Sequence, residues 1–306
     1  MKEGLLGRVR SVRTESSLWD SAAETWQAPQ RVSLEEYRED GKMSVSEQSW
    51  NGQVSRSTYR YDEVGHLTET EFWNGEERAG SQVHEYNESG RLMRQVGCGH
   101  DGARVIEERS YAPDGSHVRV HQLPEGVIDF YCPVDGADYY FSAPGAREMI
   151  TAYDSQCRVS EMRVRDAKGE VLRRFVLTRD GQGLLVRDEL LLGDQPLDPD
   201  PPEFGPGTVL MANEYRYDER GRRIATLRRL FSSKAEREEY SYDDRGNRTE
   251  VAAEGTLGNG VARFTRFAYK YDAQGNWIER LASHRQEPNP DFTPSSLDRR
   301  EIVYYP

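Results

Sequence analysis

One short pattern recurs along the 306 residues and restricts the folds open to them: two tyrosines two apart, then Asp, then Gly three residues further on. It stands complete as Tyr59-Arg-Tyr61-Asp62-Glu-Val-Gly65, Tyr215-Arg-Tyr217-Asp218-Glu-Arg-Gly221, Tyr240-Ser-Tyr242-Asp243-Asp-Arg-Gly246 and Tyr269-Lys-Tyr271-Asp272-Ala-Gln-Gly275. Weaker copies are His84-Glu-Tyr86-Asn87-Glu-Ser-Gly90, Tyr37 to Gly41, Tyr111 to Gly115, Arg179-Asp180-Gly181, and Tyr153-Asp154-Ser-Gln-Cys157, where Cys replaces Gly. Tyr61, Tyr86 and Tyr111 follow one another at intervals of 25, as do Tyr217 and Tyr242. Tyr-x-Tyr sets two rings on one face of a strand, because strand side chains alternate. The Asp side chain can accept backbone amides two residues on, and the Gly supplies a positive φ. A second turn signal follows: Asn51-Gly52, Asn74-Gly75, Asp101-Gly102, Lys168-Gly169 and Asn259-Gly260. Each unit therefore reads as two antiparallel strands and two turns. Such a unit cannot bury its own aromatic face, so the units must stack.

The pattern resembles the YD repeat of the Rhs family, which includes the teneurin shells, from about Tyr37 to Gly275 and beyond. The opening Leu6-Gly7-Arg8-Val9 and the closing Arg300-Glu301-Ile302-Val303-Tyr304-Tyr305 resemble the ends of short bacterial YD-repeat proteins. In large members the repeats wind into a hollow cocoon around a toxin. The only stretch comparable to the Asp-Pro core-associated motif of those members, Leu197-Asp198-Pro199, lies mid-chain without the expected surroundings, and no toxin domain follows. The resemblance thus implies an all-β protein: a curved or spiral antiparallel sheet of about nine or ten hairpin repeats, open rather than closed.

Three stretches break the period. Residues 14–30, with Trp19 and Trp26, read as an irregular loop or short helix. Residues 121–150 carry Phe130-Tyr131 and Tyr139-Tyr140-Phe141, which read as degraded repeat strands or as an aromatic ligand surface. Residues 193–212 hold five prolines and read as an extended connection. The expected organisation is an N-terminal strand and loop (1–36), a repeat block (37–192), the Pro-rich connection (193–212), and a second block with a closing strand (213–306).

Composition narrows the function classes. The 17 Tyr and 5 Trp separate the chain from disordered acidic segments. A net charge of −12 argues against a phosphate-backbone binder, and no run of about 18 apolar residues marks a membrane span. Cys98, Cys132 and Cys157 are odd in number and read as free thiols. His117 and His121 lie four apart on a strand, too far apart for a shared metal, and read as solvent-facing. Gly97 to Gly102 reads as a hairpin turn rather than a Cys-His-Asp site. Arg222, Arg223, Arg248, Arg263 and Arg266 read as counter-charges to the repeated Asp. Arg237-Glu238-Glu239 should face Arg248-Thr249-Glu250 across strands.

No catalytic, cofactor or metal residue is assigned. The residues singled out are those that build the repeat: Tyr59, Tyr61, Asp62, Gly65, Tyr86, Gly90, Tyr215, Tyr217, Asp218, Gly221, Tyr240, Tyr242, Asp243, Gly246, Tyr269, Tyr271, Asp272 and Gly275. The expected function is a non-enzymatic interaction or scaffold protein that holds a protein or glycan partner, without nucleic acid or cofactor. A shell shielding a toxin or small partner and a carboxylate-dependent hydrolase are the alternatives. The first residues lack the apolar run of a secretory signal. The location is cytoplasmic if Met1 is native, and secreted or surface if a leader has been removed.

Overall fold

The computed structural model describes residues 5–99, 102–125, 129–134, 137–194, 205–230, 235–255 and 261–306; for 129–134 and 137–141 only the backbone path is considered. The strands are Val9–Asp20 (β1), Thr25–Trp26 (β2), Arg31–Tyr37 (β3), Met43–Trp50 (β4), Gln53–Tyr61 (β5), Leu67–Asn74 (β6), Glu77–Tyr86 (β7) and Leu92–Gly99 (β8). They continue as Gly102–Tyr111 (β9), His117–Gln122 (β10), Asp129–Val134 (β11), Ala137–Ser142 (β12), Ala146–Tyr153 (β13), Val159–Asp166 (β14), Val171–Arg179 (β15) and Leu185–Leu192 (β16). The last are Val209–Tyr217 (β17), Arg223–Leu230 (β18), Ala235–Tyr242 (β19), Arg248–Gly255 (β20), Arg263–Tyr271 (β21), Trp277–Gln286 (β22) and Thr293–Tyr304 (β23).

Sequence neighbours pair antiparallel, with two exceptions. β10 pairs β13 directly, leaving β11 and β12 as a separate hairpin. β1 pairs both β3 and β23. This second exception joins the ends of the sheet, so twenty strands form a closed antiparallel barrel. The expectation of an open, spiral sheet is therefore corrected. Nine or ten hairpins suffice to close because β1 is free of a turn partner on one side and accepts β23 along nearly its whole length, from Val9↔Tyr304 to Leu18↔Ser296.

The two faces of the barrel can be told apart by register. Thr151, Met162 and Phe175 lie opposite one another on β13, β14 and β15, and Val164, Asp188 and Leu192 share their face. These six are the largest fully buried side chains. From Asp188 the same face passes through Asn213 to Tyr215, and through Thr226 and Glu238 to Tyr240. It carries Tyr269, Arg280, Asp298 and Ser16, then Glu35, Ser57 and Tyr59. Thr70, His84, Glu107 and His121 lead it back to Met149 and Thr151. The largest fully buried side chains and the first tyrosines of the complete units thus share the inner face.

The outer face is charged. Arg60 bridges Glu69 and Glu71, Arg94 meets Glu85, and Arg163 and Arg174 meet Glu161. Arg187 and Arg229 share Glu214, Arg266 meets Glu250, and Lys270 and Arg299 share Glu279. The expected pairing of Arg237-Glu238-Glu239 with Arg248-Thr249-Glu250 is displaced: Arg237 lies opposite Glu254 and bonds Glu239 on its own strand. A register shift at Ser241/Tyr242 accounts for part of the offset.

Residues 14–20 continue β1 rather than forming a loop or helix, and Trp19 meets Trp26 edge-on at 5.1 Å to fasten β2. Residues 129–134 and 137–142 are strands, although the side chains of 129–134 and 137–141, like Asp101 and Asn259-Gly260, lie outside the described residues. Of the Pro-rich stretch, residues 195–204 also lie outside them, and from Val209 the chain is already β17.

Candidate functional site

An even number of strands sends alternate turns to opposite rims, so every Tyr-Asp turn lies on one rim with both chain ends. The chemistry of one turn is uniform. The Oδ1 of Asp218 accepts the amides of Arg220 and Arg222, each at 2.9 Å, and that of Asp243 accepts Arg245 at 3.0 Å and Asn247 at 2.8 Å. The Gly221 amide donates to the Asp218 carbonyl at 3.0 Å, with φ of +73° at the glycine. The ladder then shifts by one residue at the second tyrosine, as between Arg216 and Tyr217, a bulge that adds twist.

Adjacent turns are tied by that second tyrosine. The hydroxyls of Tyr61, Tyr86, Tyr111, Tyr217 and Tyr242 donate to the carbonyls of Met43, Leu67, Leu92, Leu185 and Arg223, at 2.6–2.9 Å. The acceptor is each time the residue two beyond the previous turn's glycine, which in the Asp180 unit is Gly183, whose amide bonds the Asp180 carbonyl, and not Gly181 of the expected shortened turn. Arg179 stands in for tyrosine in its unit and reaches the Val159 carbonyl at 3.0 Å. Tyr271 donates to Asp243 Oδ2 at 2.7 Å, and Tyr304 to Asp272. The ring closes where Asn276 Nδ2 donates to the Leu6 carbonyl at 2.8 Å and Tyr305 to the Tyr37 carbonyl at 2.6 Å.

These bonds set the ionisation of the rim. Its backbone amide bond from Arg222 holds the Asp218 carboxyl below the ordinary carboxylate range. Burial pushes Asp243 and Asp272 upward, but the tyrosine and amide donors outweigh it, so both also lie low. Burial, reinforced by Asp243, drives Tyr271 up to about 12.

Inside this rim the barrel opens into a cavity of about 1330 Å³. Of the residues singled out from sequence, Tyr217, Gly221, Tyr242, Gly246, Tyr269, Tyr271, Asp272 and Gly275 line it. Tyr215, Tyr240, Asp218 and Asp243 belong to the same units without lining it: Tyr215 is buried and donates to Asp188 at 2.5 Å, and Tyr240 donates to Glu238 at 2.5 Å. Tyr59, Tyr61, Asp62, Gly65, Tyr86 and Gly90 occupy the other part of the rim, where His66 stacks on Tyr86 at 4.6 Å.

Sequence reading missed Trp277, Arg245, Arg280 and Arg300, which also line the cavity. Arg280 is held by Asp298 at 2.8 Å, and Arg300 lies over the Trp277 ring at 3.3 Å. Of the arginines read as counter-charges to the repeated Asp, Arg222 pairs with Asp218 at 2.7 Å and also stacks on Tyr242 at 4.9 Å, whereas Arg248 stacks on Tyr240 at 4.4 Å. Arg263 and Arg266 meet Glu236 and Glu250 rather than a repeated Asp. Arg245 sits inside a repeat turn, just before Gly246, and was available to a reading of the turn; Trp277, Arg280 and Arg300 carry no repeat signal in the sequence.

His117 is not solvent-facing. It is buried between the rings of Tyr111 at 4.9 Å and Tyr153 at 4.3 Å. His121 turns inward to buried Glu107 at 3.9 Å, which also meets Arg109 at 2.7 Å. Burial holds His84, His117 and His121 below the ordinary histidine value. Cys98 and Cys157 are free thiols.

No family model and no curated protein matches the chain. The Rhs resemblance is corrected together with the open shell by the β1–β23 pairing: the tyrosine motif recurs as read, but it builds a closed barrel. Among solved structures, a porin-like protein from Bacteroides uniformis aligns with 98% of this chain and 99% of its own at 9% identity, TM-score 0.40. A porin-like protein from Bacteroides vulgatus aligns over 97% and 98% at 10% identity, TM-score 0.30. A crystal structure of TcdB2-TccC3-Cdc42 aligns over 88% of this chain and 16% of its own at 10% identity, TM-score 0.35. The fold assignment stands on the strand pairing itself.

Proposed function

We propose that this chain is a non-enzymatic binding barrel that works in water and holds a protein segment or glycan inside the tyrosine-lined rim. One observation carries the reading: a cavity of about 1330 Å³ lined by aromatic rings and guanidinium groups, within a wall on whose outer face many charges pair with one another. Its size exceeds the several hundred Å³ typical of drug-sized ligands and suits an oligosaccharide or a short extended segment. A carboxylate hydrolase would need two acids facing each other. Asp272 is the single carboxylate among the described lining residues, and its oxygens are bonded to Asn276 and Tyr304.

No described helix is long and apolar enough to cross a membrane, which says nothing of a barrel. The outer face bears on that question. A lipid-spanning barrel needs an apolar outward band about 25 Å tall, and Arg or Lys at its middle costs about 2–4 kcal/mol each. Arg60, Arg174, Arg187, Arg237 and Arg266 occupy that face.

Two measurements test the reading. In detergent phase separation the protein should stay in the aqueous phase; recovery in the detergent phase would place the barrel in a bilayer. On glycan and peptide arrays, capture should be lost with Tyr269→Ala in the cavity and kept with Arg237→Ala outside. Capture that follows only the outer variant would sink the proposal.

A further inference from the structure

The charge of the cavity is opposite to that of the chain. Eight arginines line it against one carboxylate, in a protein of net charge −12. Asp272 supplies one negative charge against eight, and its oxygens accept the Asn276 amide at 2.9 Å and the Tyr304 hydroxyl rather than an arginine. Some of the arginines are held by acids outside the lining, as Arg222 is by Asp218 and Arg280 by Asp298.

Arg245 and Arg248 differ. They flank the Gly246 turn, both exposed, and neither has a carboxylate partner among the described residues. Arg245 lies over the Tyr271 ring at 4.1 Å and gives one long bond of 3.5 Å to the Gly275 carbonyl. Arg248 lies over Tyr240 at 4.4 Å. A guanidinium resting on a ring has its position fixed while its N–H groups stay available, and those match the two oxygens of a carboxylate, sulfate or phosphate. Arg229, exposed on the outer face, instead meets Glu214.

We infer that the cavity takes a polyanionic ligand, one carrying at least two carboxylate, sulfate or phosphate groups, with Arg245 and Arg248 as its principal contacts. Arg222 and Arg223 stand one hairpin away, roughly 10 Å along the rim from the strand spacing. The ligand's charged groups therefore spread over more than one unit. This deepens the proposed function and rests on its reading of the cavity as a binding site.

The test is calorimetric titration of the intact protein with three probes that share the chemistry: tripolyphosphate, a sulfated heparin-derived tetrasaccharide and an oligogalacturonate. A neutral cello-oligosaccharide serves as the uncharged comparison. At least one anionic probe should bind and perturb Trp277 fluorescence, and which one binds identifies the source of the charge. Affinity should fall at least tenfold in Arg245→Ala/Arg248→Ala and be unchanged in Arg237→Ala. Should the double variant melt at a lower temperature, Arg248→Gln alone and the salt dependence of wild-type binding give the same reading, with affinity falling as salt rises. Absence of binding by all three anions, or binding indifferent to both cavity variants, overturns the inference. Binding of the neutral probe alone would overturn it while leaving the cavity a binding site. If the neutral and anionic probes and both arrays all fail, the cavity reading goes with it.

Discussion

Cys157 occupies the place that glycine takes in the complete units, at φ +59°, a backbone region that penalises a Cβ. Its turn otherwise forms normally, with the Asp154 carboxylate accepting the Gln156 and Arg158 amides at 2.9 Å. Cys157→Gly should therefore stabilise the protein by about 1 kcal/mol, and Gly221→Ala, imposing the same strain at φ +73°, should destabilise it by about 1–2 kcal/mol. Urea midpoints measure both; equal midpoints for wild type and Gly221→Ala would mean the turn relaxes. The acids and histidines set a pH dependence. Asp218, Asp243 and Asp272 have depressed folded-state values, so their stabilisation is complete above the unfolded value of 3.8 and lost as pH falls through the lower folded values. His84, His117 and His121 are also depressed, so below 6.5 protons bind the unfolded chain preferentially and stability declines. A urea midpoint that is flat from pH 7 to 5 would remove the histidine contribution, and one flat from pH 4 to 2 the aspartate contribution.

Hairpins are joined to one another by more than ladder bonds, because the second tyrosine of most units reaches back to bond the previous turn. Removing a single hydroxyl tests this at the scale of the element. Tyr242→Phe leaves the ring under Arg222 but strips the 2.6 Å bond to the Arg223 carbonyl. The expected loss is about 1 kcal/mol, with faster hydrogen exchange concentrated in β18 and β19; exchange unchanged there would show the hairpins cohere without the rung. The hairpin and its turn were legible in the sequence because Asp, Gly and Tyr act within a few residues of one another. Cross-strand charge pairing was less legible, since one bulge per unit moves every later partner, as at Arg237. The inward turn of His117 and His121 was hidden for another reason. In β10 alternation misleads, because Val118 and Val120 make its apolar face, yet the face of His117, Arg119 and His121 is the one turned inward while Val118 is left exposed. The cavity arginines were visible as residues, but which stack on a ring and which meet an acid depends on neighbours one hairpin away.

Closure belongs to the whole molecule, and it was the least legible feature. Val9 and Tyr304 pair across nearly the full length of the chain, and no local pattern marks β1 and β23 as partners. Yet the physical incentive is strong, because an open sheet of this length would present two long unpaired edges to other copies. The seam can be tested without disrupting the fold. Ser11 and Val303 lie directly opposite each other on the outer face, and opposed residues have Cβ atoms about 4.5–5.5 Å apart, near enough for a disulfide after a small adjustment. In a background of Cys98→Ala, Cys132→Ala and Cys157→Gly, the pair Ser11→Cys/Val303→Cys should oxidise within one chain. Non-reducing electrophoresis would then show a faster-migrating monomer, and its melting temperature should exceed that of the reduced form, since the crosslink restrains a very long loop in the unfolded state. An open sheet would hold the two ends apart, giving disulfide-linked dimers or free thiols instead. That outcome would return the molecule to a curved layer with exposed edges and dissolve the ring of tyrosines on which the cavity depends.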